Sequence, residues 1–190
     1  MTTTAAHKST HRFHLPGLHP SQATTAVSEV SAVRYVWATA RLALGWIFLW
    51  AFLDKTFGLG HDTTGKQAWI DGGHPTQGFL KMGTKGPFAG LYHHLAGATA
   101  VDWLFMIALA GIGIALILGI GMRIAAAAGA LLMVMMWTAV LPPANNPFMD
   151  DHLIYALVLV GLALVSAGHT VGLGRWWSST ALVRRYPVLK

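Results

Sequence analysis

Four stretches of this chain are too long and too apolar for a small soluble domain to bury. They run over about residues 33–53, 101–120, 124–141 and 152–169, the last being the shortest. Each approaches the ~20 residues that cross about 30 Å of hydrocarbon. Backbone polar groups in lipid must be satisfied within their own segment, so each run is predicted to be a helix. The chain is 54% hydrophobic and only 11% charged, whereas a soluble domain carries about 25% charged residues. The expected fold is therefore all-α: an integral membrane protein, a four-transmembrane-helix bundle spanning residues 32–177. Residues 54–100 are too polar to span and too long for a turn, and read as an outer cap in the interface between the first and second helices. Polar tails, 1–31 and 178–190, flank the membrane domain.

Charge sets the expected orientation. The formal net charge is +6, but the basic residues gather at the ends of the apolar runs, which suits topology and lipid headgroups and not nucleic acid. One side holds eight of them, Lys8, Arg12, Arg34, Arg123, Arg175, Arg184, Arg185 and Lys190, and the other four, Lys55, Lys66, Lys81 and Lys85. The positive-inside rule then places both termini in the cytoplasm of a multi-pass protein of the cell (inner) membrane. The 1–31 tail lacks apolar periodicity and is expected to be disordered. Its His7, His11, His14 and His19 make only a weak metal set on a floppy segment. The chain has no cysteine. That excludes a Cys-x-x-Cys redox pair, thiolate-held iron–sulfur clusters, covalent haem attachment and a cysteine nucleophile.

Arg41 is the most unusual residue of the first run. It lies seven residues beyond Arg34, roughly 10 Å deeper along a helix. An isolated charge there costs several kcal/mol unless it snorkels or is paired. The nearest acid on that helix is Asp54, thirteen residues on and roughly 20 Å away. Arg41 must then use carbonyls, a lipid phosphate, water or a ligand. Two readings stay open: a structural arginine, or a contact for an anion or a quinone.

The polar block from Pro142 to Tyr155 separates the last two runs. Pro142, Pro143 and Pro147 rule out a continuous helix. Asn145 and Asn146 suit turns, and Asp150 or Asp151 suits the cap of the next helix. Asp151 and Tyr155 are four apart, His152 and Tyr155 three apart, so they share a helical face. A carboxylate, an imidazole and a phenol at the mouth of an apolar bundle could bind a polar substrate or move protons. Asp151, His152 and Tyr155 are the candidate catalytic residues, with Arg41, Asp54, Lys55, Asn145, Asn146 and Asp150 as candidate substrate contacts. His93 and His94 end the cap and point about 100° apart on a helix; His169 lies near the inner boundary. They read as interfacial polar groups, with haem or metal ligation as the alternative.

Several of these pieces, in order, resemble the DoxX/DoxD family. They are Arg41-Leu-Ala-Leu-Gly-Trp-Ile-Phe-Leu-Trp-Ala-Phe-Leu-Asp-Lys, Phe79-Leu, Gly86-Pro-Phe, Leu95-Ala-Gly, Asp102-Trp-Leu-Phe and Gly119-Ile-Gly-Met-Arg. Leu141-Pro-Pro-Ala-Asn-Asn-Pro-Phe-Met-Asp-Asp-His-Leu-Ile-Tyr-Ala-Leu and Gly172-Leu-Gly-Arg-Trp-Trp complete the set, over residues 34–177. The resemblance implies a membrane subunit like the large subunit of thiosulfate:quinone oxidoreductase. It would pass electrons from thiosulfate or another small sulfur or thiol donor to membrane quinone, beside a second, smaller protein subunit. Quinone would then be a diffusible co-substrate, with no tightly bound cofactor, no metal ligand set and no assigned cofactor-binding residue. The competing expectation is a non-catalytic membrane anchor or assembly subunit of a respiratory or oxidative-stress complex.

The orientation is directly testable because the chain lacks native thiols. In intact cells, an impermeant thiol reagent is expected to label Thr64→Cys and Asn146→Cys but not Ser178→Cys. Labelling of position 178 alone would reverse the topology.

Overall fold

The computed structural model describes the backbone of residues 20–190 and the side chains of residues 31–190. Among the described residues there are helices, turns and no strand. The helices are α1 (Pro20–Phe57), α2 (Ala89–Leu95), α3 (Thr99–Leu118), α4 (Met122–Ala139), α5 (Asp151–Leu164), α6 (Gly174–Ser179) and α7 (Ala181–Arg185). The helix expected to begin after Ala32 begins at Pro20 instead. Proline fits the first helical turn, and no glycine or second proline interrupts the sequence before Arg41. Residues 1–19, with His7, His11, His14 and His19, lie outside the described residues.

Three helical segments are long and apolar enough to cross a membrane: Ser31–Phe57, Thr99–Leu118 and Met122–Ala139. The fourth expected span is shorter than the sequence suggested. α5 has 14 residues, about 21 Å of helix, and ends at Leu164 because Ser166 turns left-handed with φ 51°. A 3-10 turn, Ala167–His169, follows it.

One apolar core draws on α1, α3, α4 and α5: Leu44 and Phe48 of α1, Met106 to Leu116 of α3, Met122 to Met133 of α4, and Ala156, Leu159 and Leu162 of α5. The core residues of α3 recur every three to four positions, as one helical face requires. Its opposite face is no less apolar, with Leu104, Ile107 and Ile114 exposed. A helix apolar all round suits contact with lipid. Close approach depends on small residues. A Cβ on Gly113 would lie 2.7 Å from the backbone nitrogen of Leu49, so α1 and α3 touch backbone to backbone there.

The cap between α1 and α3 is built from short pieces. They are 3-10 turns at Gly65–Gln67, Trp69–Asp71 and Gly86–Phe88, a π turn at Phe79–Gly83, and α2. Buried Tyr92 of α2 donates its hydroxyl to the Met135 carbonyl at 2.9 Å, tying the cap to α4. Asp54, buried at the end of α1, accepts the backbone N–H groups of His61, Asp62 and Thr63 and closes the first cap loop.

The other end is closed by Arg41, which is fully buried. Its guanidinium donates to the carbonyls of Leu116 and Ile117 in the last turn of α3, and to those of Thr170 and Val171 beyond α5. Carbonyls in a last helical turn have no intrahelical partner and carry the negative end of the dipole. A cation is therefore a natural cap for them. The next carbonyl, of Leu118, accepts from the backbone nitrogen of Leu173 at 2.8 Å. Val171 is held at φ 51°, a region β-branched residues avoid, with its carbonyl 2.6 Å from Arg41.

Glycine makes this joint sterically feasible. A Cβ on Gly168 would stand 2.3 Å from the Gly119 oxygen, whereas one on Gly111 would meet nothing within 4 Å. Gly168→Ala is expected to lower the melting temperature of the detergent-solubilised protein markedly. Gly111→Ala should leave it unchanged or raise it, by up to about 1 kcal/mol of helix propensity. Equal effects from the two would contradict the packing described.

Candidate functional site

The polar block lies at the capped end, opposite Arg41. The chain leaves α4 through Pro142 and Pro143, and the loop is then pinned twice. The Asn146 side-chain oxygen accepts the N–H groups of Phe148 and Met149, both at 3.0 Å. Trp137 of α4 donates its indole N–H to the Phe148 carbonyl at 2.8 Å and packs edge-on against the Phe148 ring. Asp150 then opens α5 as its N-cap, accepting from the backbone nitrogens of His152 and Leu153. Its second oxygen lies 2.8 Å from Nδ1 of His152. One carboxylate thus starts the helix and orients the imidazole, and Nε2 of His152 has no hydrogen-bond partner among the described residues.

A cleft of about 380 Å³ opens beside this pair, lined by Gly83, Lys85, Val140, Pro143, Ala144, Asn145, Met149, Asp150, Asp151 and His152. Lys85 reaches it because its backbone nitrogen bonds the Ala139 carbonyl at 3.0 Å, seating the cap on the end of α4. Gly86 (φ 73°) presses on the Leu141 carbonyl so closely that no side chain would fit. The lysine head makes no ion pair among the described residues, although two carboxylates share the cleft. The cleft therefore offers an amine, a side-chain amide, an oriented imidazole and the exposed carboxylate of Asp151. That set can hold a small polar molecule and exchange a proton with it.

The nine candidate residues divide by position. Asn145, Asp150, Asp151 and His152 meet at the cleft. Asn146 holds the loop that forms the cleft wall. Tyr155 is one turn deeper and packs against the main core, so the face it shares with Asp151 and His152 carries it past the cleft. Asp54 is committed to its own loop, and Lys55, beside it on α1, does not line the cleft. Arg41 sits at the far end, on backbone carbonyls. His93 and His94 are both exposed, and His169 Nε2 lies 3.2 Å from the Ser178 hydroxyl. Among the described residues no three His, Asp or Glu side chains converge as a metal site.

Sequence reasoning missed two features. Lys85 was counted only for topology, though the adjacent Gly86-Pro87 marks a turn that could aim it. Asp102, buried in the first turn of α3, accepts from the Thr76 N–H and hydroxyl and pairs with Nδ1 of half-exposed His74 at 2.7 Å. This second carboxylate–imidazole pair fastens the middle of the cap to α3.

No family model, curated protein or solved structure matches the chain.

The two tasks of Asp150 can be separated. Asparagine caps helices about as well as aspartate, while alanine loses about 1 kcal/mol. Asp150→Asn is expected to keep the thermal stability of the wild type in detergent, and Asp150→Ala to lose about that amount. A stability loss in Asp150→Asn equal to that of Asp150→Ala would show that the pair with His152, not the cap, holds the helix start.

Proposed function

We propose that this chain is a multi-pass membrane subunit of a quinone-linked oxidoreductase, and that the cleft at the start of α5 is where it handles a small polar substrate. The observation that carries the proposal is the Asp150–His152 pair opening into a cleft shared with the unpaired amine of Lys85. Reducing a quinone to a quinol takes up two electrons and two protons. An imidazole oriented by a carboxylate is suited to proton transfer. Lys85 and His152 can hold an anionic donor such as thiosulfate, in keeping with the DoxX/DoxD resemblance over residues 34–177. In this reading α5 and the turn after it serve as a fourth, short span and both termini are cytoplasmic. Quinone comes from the bilayer, and a second subunit supplies the redox centre that a chain without cysteine does not provide through thiols.

One feature favours a non-catalytic alternative. Phe148 and Met149 are exposed on the rim of the cleft, as a docking surface for a soluble partner would have them. In that case the same polar groups would fix the partner's orientation and the chain would be an anchor.

Thiosulfate-dependent reduction of a soluble quinone, by the purified protein alone and with its co-purifying partner, separates the two. His152→Ala and Lys85→Gln are expected to lower turnover about 100-fold, the scale of a lost proton-transfer group, while the partner still co-purifies. Wild-type turnover in both variants would sink the catalytic reading. Loss of the partner from both would favour the anchor.

A further inference from the structure

The end of the molecule closed by Arg41 has a charge pattern that the proposed function does not use. Within Val33–Lys190 the acidic residues are Asp54, Asp62, Asp71, Asp102, Asp150 and Asp151, and every one belongs to the cap or to a helix end beneath it. The opposite end exposes Arg34, Arg123, Arg175, Arg184, Arg185 and Lys190, with no acidic side chain from this unit among them.

These cations sit on a folded platform. Beyond Thr170 the chain turns across the end of the helices as α6, α7 and a last 3-10 turn, Pro187–Leu189. Val183 at its centre is fully buried. Arg123, in the first turn of α4, holds the platform's end: its backbone N–H donates to the Lys190 carbonyl at 2.8 Å and its guanidinium to the Pro187 carbonyl at 3.1 Å. The Trp177 indole N–H donates to the Leu189 carbonyl. The groups left facing out are of two kinds. Trp176, Leu182, Tyr186 and Val188 are exposed, and the exposed Arg184 and Arg185 side chains make no ion pair among the described residues. Arg185 lies 5.6 Å above the Tyr186 ring. Apolar and aromatic groups that enter the headgroup region, set among unpaired arginines, are what an anionic bilayer surface recognises.

We infer that residues 174–190 form a fixed in-plane platform that binds anionic phospholipid headgroups, and that this lipid class stabilises the folded protein. The partner is the leaflet surface itself. Each arginine near an anionic surface contributes on the order of 1 kcal/mol, or about 5-fold in binding. The purified full-length protein in neutral detergent is titrated with phosphatidylglycerol or with phosphatidylcholine. Retained lipid is counted by native mass spectrometry and stability is followed by thermal unfolding. Phosphatidylglycerol is expected to bind more tightly and to raise the melting temperature more than phosphatidylcholine. Arg184→Gln/Arg185→Gln should weaken the phosphatidylglycerol effect roughly 25-fold, and the control Lys66→Gln/Lys81→Gln, at the capped end, should not. In the wild type alone, raising the salt from low to high should abolish the preference. Equal response to both lipids, an unchanged response in the arginine variant, an equal loss in the lysine control, or the same stabilisation by inorganic phosphate would each overturn the inference.

Discussion

Arg41 imposes the constraint from which the rest of the architecture follows. A guanidinium without access to water or a carboxylate must find oxygen atoms inside the protein, or the helix that carries it cannot stay where it is. The oxygens here are the last carbonyls of α3 and two carbonyls of the turn after α5. Three separate segments are joined through one side chain. The α3 carbonyls lack helical partners in any case, so the joint satisfies them and the two terminal nitrogens of the guanidinium, while the buried Nε has no partner among the described residues. It also explains the glycines at 119, 168, 172 and 174, where a single added methyl would collide with backbone. Small residues let the chain come close enough for carbonyls, instead of a carboxylate, to solvate a cation.

The side-chain carboxylates and the open cleft lie at the other end. Among the described side chains, the capped end carries the acidic residues, two carboxylate–imidazole pairs and a lysine with no ion pair beside an open cleft. Both pairs use the carboxylate to place structure as well as charge: Asp150 starts α5, and Asp102 ties the cap to α3. His152 differs from His74 in its setting, since only His152 opens onto the cleft. The same geometry explains why Tyr155 stays out of it. A helix advances about 5.4 Å per turn, and one turn below the polar mouth the side chains already pack on the core.

Much of the scaffold was legible because hydrophobic runs and helix punctuation are local signals. The three long apolar helices and the Asp at the start of α5 lie close to where spacing and composition put them. The depth of Arg41 and the lack of an acidic partner were legible too. Its actual partners were not, because backbone carbonyls are present at every residue and leave no mark in a sequence. The His74–Asp102 pair joins residues 28 apart across a glycine-rich cap, and no periodicity links them. Lys85 enters the cleft only through a backbone bond to Ala139. The end of α5 at Leu164 was hidden for another reason: Val165, Ala167 and Val171 prolong the apolar character and no proline marks a stop, while the backbone turns left-handed at Ser166 and Val171.

Arg41 as a structural joint on backbone carbonyls is therefore the central claim. Thermal unfolding of wild type, Arg41→Lys and Arg41→Met in the same detergent tests it most directly. Methionine replaces the aliphatic stem without the guanidinium and leaves several carbonyls unpaired, each worth about 1–3 kcal/mol when buried; lysine keeps the charge but not the planar fork. The account predicts a large fall in melting temperature for methionine and a partial recovery for lysine, both without added substrate or quinone. Wild-type stability in Arg41→Met would contradict it.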